Sequence, residues 1–436
     1  MMKLLLLLLD GIGDRSYAVL GRRTPLQAAH TPNLDRLAQW GSNGLYHAAR
    51  PGQCFPSETA HFLLFGYELD RFPGRGLLEA VGDGVPFDTN DVLCLAHLTS
   101  VSWESGVPVL THGRRDIKGD PREIEALYKA ITTFNTGQIR FRLHQTHFND
   151  AILVVKGPVS PYISDSDPMR AGRPLARVRA LSQNPEPKES ARTAEALNRY
   201  LSYCHRQLSV HDINRKHMEK GIPAANFLAT LRSGRKIKQE AFYDRWGLKG
   251  MLIASAGVYG GLAHELRLTF NRVRDSGDAG DDLRERIRMG LSDPDHDFIH
   301  VHTKAPDEAG HTGDPECKRD VISRLDAGLD ELVSAVKNRD DVLVAVTADH
   351  STPSGSALIH SGEPVPVTFA GVNVRRDEVC SFDEVSAAGG ALGHLRGAEL
   401  ILMMLNCADR SALMGHRLGD VERPYVPTSY PTFEMT

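Results

Sequence analysis

Asp10, Asp307 and Asp349, with His311, His350 and His360, are the residues whose types and spacing could do chemistry together in this chain. Carboxylates and imidazoles are the donors that divalent ions such as Mn²⁺ or Zn²⁺ accept, and three of each reaching one rim suit two ions. Asp307 and His311, in KAPDEAGH, stand four residues apart. That spacing puts both on one face of a helix or, in a loop, within reach of one ion. Asp349 and His350 are adjacent, and His360 follows ten residues on. Ser57, in PSET, adds a hydroxyl. As an ordinary helix start it would cap the helix, with Glu58 favouring the dipole. Beside a metal the same position would stabilise its alkoxide and hold a phosphate on its oxygen. Taken singly, an Asp at a strand end is a turn or cap residue and a lone His is structural. Joint placement at strand ends turns them into a candidate metal site.

The elements that must position these residues are legible as well. Residues 3–9 are a continuous apolar run closed by Asp-Gly, as expected of a strand buried on both faces of a parallel sheet. TPNLDRLAQWG (31–41) reads as a helix, with Thr31 as N-cap, Pro32 at its first position and Gly41 as its stop. A second helix is expected from Ser57. Late in the chain DFIHVHT (297–303), DVLVAVTAD (341–349) and VPVTFAG (365–371) read as strands. Residues 314–338 have helical periodicity, and GAELILMMLN (397–406) reads as a closing helix. Strand–helix alternation at both ends predicts an α/β fold: a mainly parallel sheet flanked by helices, built from residues 1–90 and 266–436.

Residues 91–265 differ in texture and predict an inserted α/β cap domain that binds substrate over the C-terminal edge of the sheet. QIRFRLHQTHF and AILVVKG read there as neighbouring strands, followed by a Pro- and charge-rich loop and a helix from about Ser190. His144 and His147 alternate with apolar residues and read as structural. RVRDSGDAGDDLRERIRMG (272–290) reads as a solvated surface helix.

Composition is that of a globular protein, 41% hydrophobic and 24% charged over 436 residues. A net charge of −4 argues against a nucleic-acid partner. The apolar N-terminal run is six leucines without a small-residue cleavage site. No run approaches the roughly 20 apolar residues of a membrane span, so no membrane partner is expected. Six scattered cysteines read as reduced thiols, which with these features points to the cytoplasm. A monomer and a homo-oligomer are equally compatible.

These residues, in this order, resemble the alkaline phosphatase superfamily and, within it, the archaeal-type cofactor-independent phosphoglycerate mutases. The resemblance runs through LLDGIGDR (8–15), TPLQAAHTPNLDRLA (24–38), PSETAHFLLFGYE (56–68), GRGLLEAVGDGV (74–85), HTKAPDEAGHTGD (302–314), TADHSTP (347–353) and HSGEPVPV (360–367). Weaker matches are SDSDP (164–168), HDINRKHMEKGIPAAN (211–226) and WGLKGMLIASAGVYGGLA (246–263). The resemblance implies an alkaline-phosphatase-like core with two divalent ions, Mn²⁺, Zn²⁺ or Mg²⁺. Asp10, Ser57, Asp349 and His350 would hold one, and Asp307, His311 and His360 the other. It further implies that Ser57 attacks a small phosphorylated metabolite, forming a phosphoserine, with Lys304 neutralising charge on the phosphate. The glycerate would then turn and take the phosphate back on its other hydroxyl, which makes the chain a glycolytic isomerase.

The insert departs from that pattern. Where the family carries an Arg- and Asn-bearing strand, this chain reads LCLAHLTSV (93–101), and His217 stands where an arginine is expected. Arg114 and Arg115, in HGRRDIKG, are the basic pair that could bind phosphate or carboxylate, and could equally be surface charges. Asp165 and Asp167 match the family's SDSDP segment and could equally be turn residues. Arg75 and Glu79 read as a structural ion pair. The altered insert keeps a second reading open, a hydrolase or phosphotransferase for another small phosphate or phosphonate. A non-catalytic scaffold is a third.

Overall fold

The computed structural model describes residues 2–435 and divides into two compact units, one running to Phe72 and resuming at Gln239, the other spanning Pro73–Lys238. The first unit is built on an eight-stranded sheet. Leu4–Leu9 are all fully buried in its middle, in the strand Lys3–Leu9. Each such side chain contributes on the order of 2 kcal/mol. Phe298–Thr303 and Val342–Thr347 flank this strand in parallel, with Leu8 in register with both His302 and Thr347. That register explains where the chemistry goes. Three neighbouring parallel strands end at one level, so Asp10, Lys304 and Asp349 leave the sheet side by side.

The remaining candidates reach the same edge by the opposite route. Val365–Ala370 pairs antiparallel with Val342–Thr347, so it begins where that strand ends and brings His360 with it. Ser42–His47 pairs antiparallel with Val365–Ala370, ends at that edge, and leads to the helix Ser57–Leu64. The helical stretch at 314–338 is two helices, Pro315–Ala327 and Asp330–Asn338. Among the described residues, no helix is long and apolar enough to cross a membrane.

The second unit has a six-stranded antiparallel sheet whose spine is Val92–Glu104, paired with Val107–His112, Asp150–Lys156 and Phe227–Gly234. The expected neighbours Ile139–His147 and Asp150–Lys156 are paired antiparallel. The helix Pro187–Ser209 covers the sheet, with Tyr200 stacked on Phe141 at 5.0 Å between ring centroids. The second unit begins and ends earlier than the expected 91–265, at Pro73 and Lys238. The helix Arg75–Gly82 packs on Val92–Glu104 and Phe227–Gly234 and belongs with them. Gly250–Ala254 pairs with Phe298–Thr303 and belongs to the first sheet.

Three local expectations are corrected. Thr31 makes no side-chain cap for the helix Pro32–Trp40. Asp326 caps it instead, accepting from Asn33 N at 3.1 Å and Leu34 N at 2.8 Å. Ser57 is the first helical residue and not the cap, which is Pro56. Its hydroxyl is therefore left for other partners. The helix Ala279–Ser292 is not solvated all round, because Arg286 is only 2% exposed, donating to His302 O at 2.8 Å and pairing with Asp275. The Arg75–Glu79 ion pair forms as expected, at 2.8 Å.

One buried strut ties the two loops that follow Asp10 and Asp349. Lys318 Nζ donates to Gly13 O at 2.9 Å and Thr352 O at 2.8 Å and lies 3.2 Å from Asp14 Oδ2, with both side chains fully buried. Burial pushes the ammonium down and Asp14 opposes it. Replacing one partner of such a pair strands the other charge in the core. Lys318→Met is predicted to destabilise the first unit by about 3 kcal/mol. Urea unfolding checks this, and a loss below about 1 kcal/mol would exclude a structural role for the strut.

Candidate active site

Every candidate from the first unit converges at the sheet edge. Ser57 Oγ accepts from Lys304 Nζ at 2.9 Å, lies 3.0 Å from His350 Nε2 and donates to Asp10 Oδ1 at 3.5 Å. Lys304 Nζ also contacts Asp10 Oδ2 at 3.0 Å and Asp307 Oδ2 at 2.9 Å. Asp307 Oδ1 faces His360 Nε2 at 3.3 Å and His311 Nε2 at 3.4 Å. Asp349 Oδ2 lies 3.2 Å from His350 Nε2. His350 and His360 stack at 3.7 Å. Asp307 and His311 sit on the short helix Ala305–Gly310 and at its C-cap, which realises the helical form of their spacing.

Gly11 explains why the first strand must end in Asp-Gly. Its φ is +66°, and a Cβ there would lie 2.8 Å from Asp307 Cβ. Its N–H donates to Asp349 Oδ1 at 3.2 Å. A side chain would push two carboxylate-bearing loops apart.

Electrostatics show what the cluster lacks. Asp10, Asp307 and Asp349 are at most 2% exposed. Burial and Asp349 push the Asp10 carboxyl up, yet Lys304 and His302 hold it below its ordinary value. Burial likewise opposes ionisation of Asp307 and Asp349, and nearby imidazoles outweigh it: His311 and His360 for Asp307, His350 for Asp349. Burial pushes Lys304 down, but Asp10, Asp307 and Asp349 together hold it raised. Three buried anions thus share one lysine.

The donor set fits divalent cations. His360 Nδ1 donates to Phe55 O at 2.8 Å, which leaves Nε2, on the Asp307 side, as the ring atom placed to ligate a cation. Nε2 and Asp307 Oδ1 lie 3.3 Å apart, close enough to ligate one cation together. Buried Asp349 Oδ2 has no hydrogen-bond donor among the described residues. One donor atom each from Asp10, Asp349 and His350 lie within 4.8 Å of one another, as do one each from Asp307, His350 and His360. His350 belongs to both groups, whereas the expected division gave it to the first alone.

Behind these residues stands a layer the sequence reading missed. Asp10 Oδ2 accepts from Tyr259 OH and His302 Nε2, both at 2.9 Å. Burial pushes His302 down to about 4, so its neutral ring donates through Nε2. His61 Nδ1 lies 2.7 Å from Ser57 O and 3.5 Å from Asp349 Oδ2. Thr352 Oγ1 donates to Asp307 Oδ1 at 2.7 Å. His302 opens the HTKAPDEAGH segment and Tyr259 lies in WGLKGMLIASAGVYGGLA, so both were within reach of the motif comparison.

The four candidate substrate residues belong to the second unit. Arg114 is paired with Asp150 at 2.6 Å, and Arg115 is exposed. Asp165 Oδ1 accepts from Arg232 N at 2.7 Å, and Asp167 Oδ1 from Met169 N at 2.8 Å. Asp167 Oδ2 faces buried His97 Nε2 at 3.2 Å. Asp167 thus holds the turn at Met169, and Asp165 ties its loop to the strand Phe227–Gly234.

Residues 2–407 match the metalloenzyme superfamily. A 2,3-bisphosphoglycerate-independent phosphoglycerate mutase of Methanocaldococcus jannaschii is 41% identical over 434 residues, 98% of each chain. The cofactor-independent phosphoglycerate mutase of Thermoplasma acidophilum is a solved structure 32% identical, with a TM-score of 0.61 over 94% of this chain and 100% of its own. A Pyrococcus horikoshii structure 26% identical superposes with a TM-score of 0.72 over 95% of this chain and 99% of its own. Sequence, fold and the ordered set of carboxylates, imidazoles and serine therefore agree: the chain belongs to the metalloenzyme superfamily and, within it, to the 2,3-bisphosphoglycerate-independent phosphoglycerate mutases.

Proposed function

We propose that this protein interconverts 2- and 3-phosphoglycerate through a phosphoserine at Ser57, as a cytoplasmic glycolytic isomerase. The observation that carries the reading is the placement of Ser57 Oγ between Lys304, His350 and Asp10 at 2.9, 3.0 and 3.5 Å. The names of its relatives, phosphoglycerate mutases over nearly their whole length, support the substrate.

Ser57 opens its helix, so the positive end of the helix dipole lies at the nucleophile. Its oxygen attacks phosphorus in line, the P–O bond to the glycerate breaks, and the departing oxygen takes a proton. Lys304 places a cation on the attacking oxygen and stabilises charge as it moves onto the phosphoryl group. The other glycerate hydroxyl then attacks the phosphoserine, Ser57 leaves, and no water is consumed. Two divalent ions, Mn²⁺ or Zn²⁺ for this donor set, would when bound lower the proton affinity of the serine and neutralise phosphoryl oxygens. Asp10, Ser57, Asp349 and His350 would hold one, and Asp307, His311 and His360 the other. His61 and Tyr259 keep the nucleophile's backbone and the Asp10 carboxylate in place.

Two outcomes test this reading. Incubated with 3-phosphoglycerate and Mn²⁺, the protein is predicted to form 2-phosphoglycerate without free phosphate, and Ser57→Ala to lower kcat by at least about 10³-fold. Stoichiometric phosphate release would show a hydrolase instead, and a fully active Ser57→Ala would eliminate the phosphoserine. Tyr259→Phe removes one hydrogen bond from Asp10, and metal affinity is predicted to fall about 10-fold or more. Competition against a chelating dye measures it, and an unaltered affinity would show that Tyr259 does not orient the ligand.

A further inference from the structure

An arginine stands where the helix Ala279–Ser292 calls for an apolar residue. Gly280, Leu283, Ile287 and Gly290 are buried along its inner face, at the three- and four-residue spacing that keeps positions on one stripe. That face lies on the first sheet, where a Cβ at Gly290 would meet Ile299 Cγ2 at 2.8 Å. Arg286, beside Ile287, falls on the same stripe and is among the largest fully buried side chains of the described residues. Burying a guanidinium is costly unless the charge is paired and its donors are used. An arginine kept in an apolar stripe therefore marks a place where local pattern yields to function.

Both ends of the guanidinium are engaged. Nη1 donates to His302 O at 2.8 Å, and Nη2 pairs with the Asp275 carboxylate, whose side chain is 58% exposed. Pairing between Gly250–Ala254 and Phe298–Thr303 ends at Ile253 with Val301, one residue short of His302. Arg286 donates just beyond that last pair. His302 Nε2 in turn donates to Asp10 Oδ2 at 2.9 Å, and Lys304, two residues on, contacts Asp10 and Ser57. Asp275 belongs to the other arm. Val273 N, two residues before it, donates to Ala254 O at 3.1 Å. Ala254 leads into the helix Gly257–Leu266, from which Tyr259 OH donates to the same Asp10 oxygen at 2.9 Å. The Arg286–Asp275 pair thus joins the two segments whose side chains hold Asp10 Oδ2 from behind.

We propose that Arg286, with Asp275 as its counter-ion, is a positioning residue that sets the His302 imidazole against Asp10 and so tunes the affinity of the carboxylate cluster for a divalent ion; this rests on the reading of Asp10 as a metal ligand. Hydrogen bonds that orient a ligating carboxylate belong to the metal site, and loosening them costs about 10- to 100-fold in affinity or activity. Here the orienting imidazole is itself fixed, through its backbone carbonyl, by a guanidinium one layer deeper. Asp275 is largely exposed, so removing Arg286 leaves no stranded buried charge. An apolar side chain of similar length would complete the stripe. Fold stability and metal affinity are therefore expected to separate.

The experiment compares wild type with Arg286→Met, Asp275→Asn and Arg288→Met, the last an exposed arginine of the same helix that pairs with Glu331. Mn²⁺ affinity is measured by competition against a chelating dye, kcat and KM with 3-phosphoglycerate at saturating Mn²⁺, and folding by the urea midpoint. Arg286→Met is expected to keep a urea midpoint close to wild type, bind Mn²⁺ about tenfold more weakly, and lose about tenfold in kcat with KM unchanged. Asp275→Asn should weaken Mn²⁺ binding in the same direction by a smaller factor, and Arg288→Met should change none of the three. Wild-type Mn²⁺ affinity in both Arg286→Met and Asp275→Asn would overturn the proposal. If Arg286→Met does not fold, Asp275→Asn decides alone. A wild type that binds Mn²⁺ but does not isomerise 3-phosphoglycerate would remove the substrate reading and leave the affinity comparison decisive. A wild type that binds no Mn²⁺ would remove the metal reading, and the role of Arg286 with it.

Discussion

Mutual repulsion of three buried carboxylates is the constraint on which the rest of this structure depends. Asp10, Asp307 and Asp349 leave neighbouring elements at one sheet edge, and all are almost inaccessible to solvent. Desolvation opposes each charge, and each carboxylate opposes the others. A fold that gathers them needs cations or donors around their oxygens, and the surroundings supply most of these, with Asp349 Oδ2 left without a donor among the described residues. Lys304 touches two of the three, imidazoles face all three, and Gly11 N and Tyr259 OH donate to the oxygens turned toward the interior. The excess negative charge that remains is what suits the site to divalent ions.

The same constraint explains the scaffold. Carboxylates held this close must not drift, so they sit at the ends of fully buried strands in fixed register. Loops between them are tied from beneath by Lys318, and the histidine layer holds Ser57 and Asp349 from behind. Ser57 is positioned by its helix and left with a hydroxyl that caps nothing. A serine used as a cap would spend on the backbone the lone pairs that here face Lys304 and His350.

How much of this was legible in the sequence depends on what each residue has to satisfy. The six leucines before Asp10 could only be a strand buried on both faces, and Asp-x-x-x-His kept its helical spacing. Thr31 stands at the N-cap as expected but makes no side-chain cap, because local sequence cannot show that Asp326, almost 300 residues away, reaches those amides first. The unit boundaries shifted for a similar reason: Arg75–Gly82 packs on strands of the insert, and Gly250–Ala254 joins the first sheet, and neither choice is encoded locally. His61, His302 and Tyr259 escaped because a histidine in an apolar strand or helix looks structural until its distant partner is known. Asp165 and Asp167 match a family motif; in space Asp167 holds a turn and Asp165 accepts from the strand amide of Arg232.

Two divalent ions are proposed to complete the carboxylate cluster. Anomalous diffraction at the manganese edge from crystals grown with Mn²⁺ tests it most directly. Two peaks are predicted, one among Asp10, Ser57, Asp349 and His350 and one among Asp307, His311 and His360. A single peak, or none within that cluster, would contradict the account.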